Sequence, residues 1–246
     1  MIRSRVAALA AAYLLLACGG DEPPVRPLPE VPPEDTLFVT VEAGSYVSAS
    51  GDTVFVEAFQ LSRYEVTNRL YLSLARREGL PEPPDPGFMG VVDYLWRRPD
   101  SPVVNVSAAE AAKAAGAAGC RLPTAEELVY ASTLPDDPAA RYPWGDLEPA
   151  DAGGMVSYLA GGEWDSRAED GFLWTAPVGA FPLSDRGLAD ITGNVGEWTS
   201  TMDSVWALVH GGSWLSPGEE VAARSVERLF PSDRAWHTGF RLARDL

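Results

Sequence analysis

The sequence predicts an α+β fold rich in loops, with few short helices, and three observations carry that expectation. Two capping boxes, Ser107 with Glu110 and Thr124 with Glu127, open short helical stretches. Thr36–Val47 and Thr53–Leu61, the latter β-branched and aromatic, flank a Gly51-Asp52 turn and read as a hairpin leading into the domain. From Leu134 to Pro182 glycines and prolines recur through long connections, more than a regular sandwich needs.

At the amino end, Arg3 and Arg5 precede an apolar run from Val6 to Ala17. The run falls short of the ~20 residues that cross a bilayer, so residues 1–17 read as a signal peptide. Leu15-Leu16-Ala17-Cys18 resembles the bacterial lipobox, which implies a lipid on Cys18 and an envelope-anchored chain; a secreted protein cut nearby is the alternative. Residues 19–36 hold six prolines and almost no large apolar side chain. That composition describes a stiff, solvated tether, and Gly19 is compatible with sorting to an outer membrane. Residues 37–246 then form one large domain.

The formal net charge is −16, and it becomes −18 once Arg3 and Arg5 leave with the leader. So acidic a chain repels nucleic acid and anionic lipid and suits solubility or cation binding. With Cys18 lipidated, Cys120 has no partner for an internal disulfide, and its place after an alanine-rich helix reads as a small buried residue.

Thr67 or Asn68 caps a helix reaching about Arg77, with Leu70, Tyr71 and Leu74 on its packing face. Prolines from Pro81 to Pro86 force a loop. The box at Ser107 starts an alanine helix that ends at Gly119, and the box at Thr124 starts a short one through Val129 and Tyr130.

The stretch from Gly187 to Trp214 packs Trp198, Trp206 and Trp214 among five glycines, with Asp190 and Glu197 between them. It fits neither a plain amphipathic helix nor an alternating strand, so it reads as a site-building or loop-packing segment. Glycines let main-chain carbonyls turn inward, and carbonyls with two carboxylates are what calcium takes. A tight turn with solvated acids explains the same spacing.

Gly193-Asn194-Val195-Gly196-Glu197-Trp198-Thr199, Gly211-Gly212-Ser213-Trp214 and Gly239-Phe240-Arg241 resemble the motifs of the formylglycine-generating-enzyme, or sulfatase-modifying factor, family. Tyr64-Glu65-Val66-Thr67-Asn68, Pro102-Val103-Val104-Asn105, Arg121-Leu122-Pro123-Thr124 and Tyr142-Pro143-Trp144-Gly145 continue the match in the family's order. The resemblance implies a C-type-lectin-like fold with an irregular antiparallel sheet. It also implies structural calcium at Asp190, Gly193, Val195 and Glu197, and a second ion at Asp151, Ala152, Asp170 and Phe172.

Two cysteines bind copper in the founding enzyme, and their positions here are Ser216 and Val221. Neither side chain supplies the soft thiolate that selects Cu(I), so no copper and no formylglycine generation are expected. Two histidines, His210 and His237, are too few for a three-histidine iron site. A Ser-His-acid reading of His210 with Ser213 lacks a nucleophile elbow. His210, Ser213, Ser216 and His237 are candidate groove residues, with Arg224, Arg228 and Arg234 near them. Trp144, Trp198 and Trp214 are expected in the core, with Trp164, Trp174 and Trp236 open to a groove role.

The reading is therefore an envelope lipoprotein whose domain binds or scaffolds a protein, peptide or glycan without catalysis. A divergent enzyme using His210, Ser213, Ser216 or His237 is the alternative, and a structural module of a surface complex is a third.

Overall fold

The computed structural model describes residues 26–28, 30, 31, 33, 37–150 and 171–246. The leader, Cys18, Asp151, Ala152, Trp164 and Asp170 lie outside the described residues. In chain order the elements are β1 (Phe38–Val41), β2 (Gly44–Val47), β3 (Thr53–Val56), β4 (Phe59–Ser62), α1 (Asn68–Glu78), α2 (Tyr94–Arg97), α3 (Ala108–Ala117) and α4 (Ala125–Ser132). After these come β5 (Gly196–Asp203), β6 (Trp206–His210), a 3-10 turn (Gly218–Val221), β7 (Val226–Leu229), β8 (Thr238–Gly239) and β9 (Ala243–Asp245).

The helices start where their caps place them. Thr67 Oγ1 accepts the Leu70 amide at the head of α1, and Gly79 closes that helix in the left-handed region at φ 63°. Both capping boxes are complete, with Ser107 and Glu110 on α3 and Thr124 and Glu127 on α4 exchanging bonds in both directions. Helix α2 was not legible, because only Asp85 announces it: its carboxylate accepts the Gly87 and Tyr94 amides and folds the proline loop onto the helix start.

The expected hairpin divides in two. β2 and β3 pair across the Gly51 turn, with Gly44 opposite Val56. β1 and β4 instead pair with each other, Phe38 opposite Ser62, and β4 also carries β9. The chain's end thus closes the sheet its beginning opened, in the order β1-β4-β9.

Half of the Gly187–Trp214 stretch is strand, which corrects the expectation of loop packing alone. β5 and β6 form a hairpin in a sheet ordered β7-β6-β5-β8, and β8 runs parallel to β5, so that sheet is mixed rather than antiparallel throughout. Its strand signal is hidden because the first four residues of β5 are buried on both faces, which erases the period of two.

One apolar cluster joins α1 and α3 to the sheet through Leu70, Leu74, Ala111, Trp198 and Val209. A second, with Phe59, Leu61, Leu128 and Leu188, sits under the hairpin and α4. Within the stretch expected as a tether, described residues touch the domain. Leu28 and Val31 pack against the first cluster, and the carbonyl of Glu30 accepts a bond from Arg69.

Candidate functional site

A polar centre lies inside the turn between residues 187 and 196. Asp190 and Asn194 adopt φ of 48° and 53°, a left-handed conformation that their short side chains tolerate and that aims both inward. Asn194 Nδ2 donates to Glu65 at 2.7 Å while its Oδ1 accepts the Ala176 amide at 2.9 Å. The Val195 amide reaches the other oxygen of Glu65. Arg241, fully buried, donates through Nε to both oxygens of Glu197 at 2.8 and 2.7 Å, and through Nη2 to the carbonyls of Ala189 and Asp190.

Three buried carboxylates thus face one guanidinium. Burial pushes Glu65 well above the usual carboxylate range, and the charges of Asp190 and Glu197 push it further. Burial likewise raises Asp190 to about 6, against the Gly179 amide and Arg241, which lower it. Glu197 is raised by burial although Arg241 opposes the shift.

This centre contains the two side chains assigned to the first calcium, Asp190 and Glu197. In charge they fit a hard cation, since carboxylates outnumber guanidinium. In convergence they fit less well: Glu197 is turned to Arg241, and one Asp190 oxygen accepts Gly179 N–H at 2.7 Å. Among the described residues, no three His, Cys, Asp or Glu side chains gather as a metal cluster. Of the second set only Phe172 is described, its ring edge-on to Phe181.

Beyond the centre, the Gly211–Ser216 turn, the 3-10 turn and β7 enclose a cavity of about 420 Å³. Gly212 makes that wall possible. It sits at φ 66°, and a Cβ there would run into the Glu220 carbonyl. Ser213, Ser216 and His237 line this cavity together with Ser225, Glu220 and Glu227. The Ser213 amide donates to Ser216 Oγ at 3.2 Å, and Ser213 Oγ accepts the Leu215 amide. His237 Nε2 stands 3.4 Å from Glu227.

His210 is a correction to the groove expectation. It is wholly buried on β6 opposite Glu197, with Nε2 2.9 Å from the Ala223 carbonyl. Its neighbour Val209 lines the cavity, so strand alternation turns His210 to the other face. Burial lowers His210 to about 4.

The arginines serve structure. Arg224 donates to the carbonyls of Val47, Pro138 and Ala140, joining the β2–β3 hairpin to the 138–140 loop. It lines, with Arg228, a neighbouring concavity of about 590 Å³ that shares Val226 with the first. Arg228 pairs with Asp203, and Arg234 grips both oxygens of Glu110. Burial would raise Glu110, but Arg234 and Ser107 outweigh it and hold the group at about 2.

Trp198 and Trp214 are buried as expected. Trp144 is only half-buried, stacked on Tyr142 at 5.0 Å, which leaves its outer face uncovered. Trp174 and Trp236, also half-buried, stack on Phe88. Sequence reasoning gave no role to Glu65, Arg241, Glu220 or Glu227. A carboxylate set between Tyr64 and Val66 was the one available signal for the first of these.

A formylglycine-generating enzyme of Thermomonospora curvata is 29% identical over 257 aligned positions, covering 78% of this chain and 84% of the relative. A Bos taurus protein named inactive C-alpha-formylglycine-generating enzyme 2 is 34% identical over 178 positions, 63% of this chain and 58% of its own length, so the chain spans little more than half of that relative. The structure of PvdO from Pseudomonas aeruginosa superposes with a TM-score of 0.67 at 22% identity, over 85% of this chain and 94% of that one, which establishes the shared fold. The family of sulfatase-modifying factor enzyme 1-like domains matches residues 27–246, nearly all that folds around the polar centre and the cavity, and the chain belongs to that family.

Proposed function

We propose that this protein is an envelope-anchored lipoprotein, held through Cys18, whose domain binds a ligand in the Ser213–His237 cavity without copper chemistry. One observation carries the reading. Where the resemblance places copper thiolates, Ser216 Oγ is bonded to the Ser213 amide and the Val221 side chain is wholly buried against Tyr142 and Trp144. A hydroxyl and a sealed isopropyl group leave Cu(I) no soft ligand. That the Bos taurus relative is named inactive supports the reading.

The lining also narrows the ligand. Glu220, Glu227 and three serines line it, and among the described residues neither lysine nor arginine does. A protein, peptide or glycan rich in hydroxyl or amine donors suits those acceptors, and an anionic ligand does not. Calcium at Asp190 and Glu197 has a structural role in this proposal.

The test is a Cu(I) competition titration on the full chain beside the Ser216→Cys/Val221→Cys variant. The wild type is expected to leave the competing chelator loaded. Stoichiometric copper on the wild type would sink the noncatalytic reading.

The His237–Glu227 pair inside the cavity favours a second reading, a divergent enzyme with serine chemistry. Among the described residues no serine hydroxyl is hydrogen-bonded to His237. A fluorophosphonate probe is therefore expected to leave Ser213, Ser216 and Ser225 unlabelled, and a labelled serine would revive the enzyme.

A further inference from the structure

The segment read from composition as a stiff, solvated tether is held at Arg26 and at Glu30. Arg26 Nη1 lies 2.8 Å from Asp93 Oδ2, and its guanidinium stands 4.4 Å over the Trp96 ring. The carbonyl of Arg26 accepts a bond from Arg76 at 3.0 Å, and the carbonyl of Glu30 accepts one from Arg69 at 3.1 Å. Beside these, Leu28 and Val31 are half-buried against the cluster that α1 shares with α3. Pro27 fits this arrangement. Its ring restricts φ, so ordering the segment costs less entropy.

We infer that Arg26, Pro27, Leu28, Glu30 and Val31 form a strap on α1 and α2 that fixes which face of the domain is turned toward its attachment point. The inference rests on the anchoring proposed above only for what lies upstream. From Cys18 to Arg26 the chain spans at most about 28 Å, whereas a tether free as far as Leu37 would span about 65 Å. Docking therefore holds the domain near the surface with Trp96 and Arg97 facing it. Each contact is weak: Arg26 and Asp93 are 51% and 41% exposed, a setting in which an ion pair contributes little. Their sum, with the apolar pair between them, makes a unit that can open without unfolding the domain.

Two measurements on the full chain decide this. A glutamyl endoprotease cutting after Glu30 should act at least about tenfold more slowly on the wild type than on a Leu28→Asp/Val31→Asp variant, since local opening sets the rate. The variant's main melting transition should stay close to the wild type's. Equal cutting rates would overturn the strap.

The second measurement uses the lipidated chain on phosphatidylethanolamine–phosphatidylglycerol vesicles, in a Cys120→Ser background. A fluorophore at Arg97→Cys should be quenched by a nitroxide lipid more than one at Phe55→Cys, on the hairpin that packs on the other apolar cluster. The strap-releasing pair should narrow that gap. Equal quenching in the wild type would overturn the orientation, while failure to float with vesicles would sink the anchor and leave the protease result to judge the strap.

Discussion

Arg241 ties the buried polar centre together. Among the described residues it is the one cation that faces the three buried carboxylates, and it also satisfies four main-chain carbonyls, those of Ser62, Arg63, Ala189 and Asp190. Breaking a buried pair by removing one partner costs about 3–5 kcal/mol, so Arg241→Met should lower stability by that amount in urea melts. Pairing it with Glu197→Leu should recover part of the loss, and a double variant no better than the single one would refute this account.

Two other buried groups oppose each other in pH. Asp190 is raised to about 6, so the folded state holds its proton more tightly; the stability this gives is complete below the unfolded value near 3.8 and is lost as pH rises through 6. His210 is lowered to about 4, so its contribution is complete above 6.5 and is lost as pH falls through 4. Each swing is of order 3 kcal/mol. Relative to the wild type, Asp190→Asn should therefore lose stability on acidification from pH 6.5 to 4, and His210→Asn should gain it. Denaturant midpoints across that range check both signs.

Among elements, legibility followed whether the signal was local. Caps act within four residues, so α1, α3 and α4 could be placed from Thr67, Ser107 and Thr124 alone. Ser107→Ala should cost about 1 kcal/mol by urea denaturation, and Ser107→Gly only a few tenths. Equal losses would show that the hydroxyl is not the source. Signals that depend on the rest of the fold were hidden. β5 loses its alternation because helices cover one face and the turn region the other, and the buried side of His210 could be known only once β6 was known to be a strand. The contacts of Leu28 and Val31 were hidden for a similar reason: they are sparse apolar residues among prolines, and nothing local reveals the cluster that receives them.

At the scale of the whole molecule, the motifs disclosed the fold and one acidic turn, but not the charge imbalance that Glu65 completes across 125 residues of sequence or more. That imbalance allows two fillings, protons or a cation. Protons suffice at low pH, since Asp190 titrates near 6. Above that pH a divalent ion would relieve the repulsion, and its binding would expel the proton. Calcium should thus raise the melting temperature by a few degrees at pH 7.5 and by less at pH 5, because a ligand at a hundred times its Kd contributes about 2.7 kcal/mol. Asp190→Asn should abolish that shift, whereas an Asp151→Ala/Asp170→Ala variant should keep it, which separates this ion from the second one. If calcium and chelator leave the wild type's melting unchanged at both pH values, Arg241 and bound protons balance the centre by themselves.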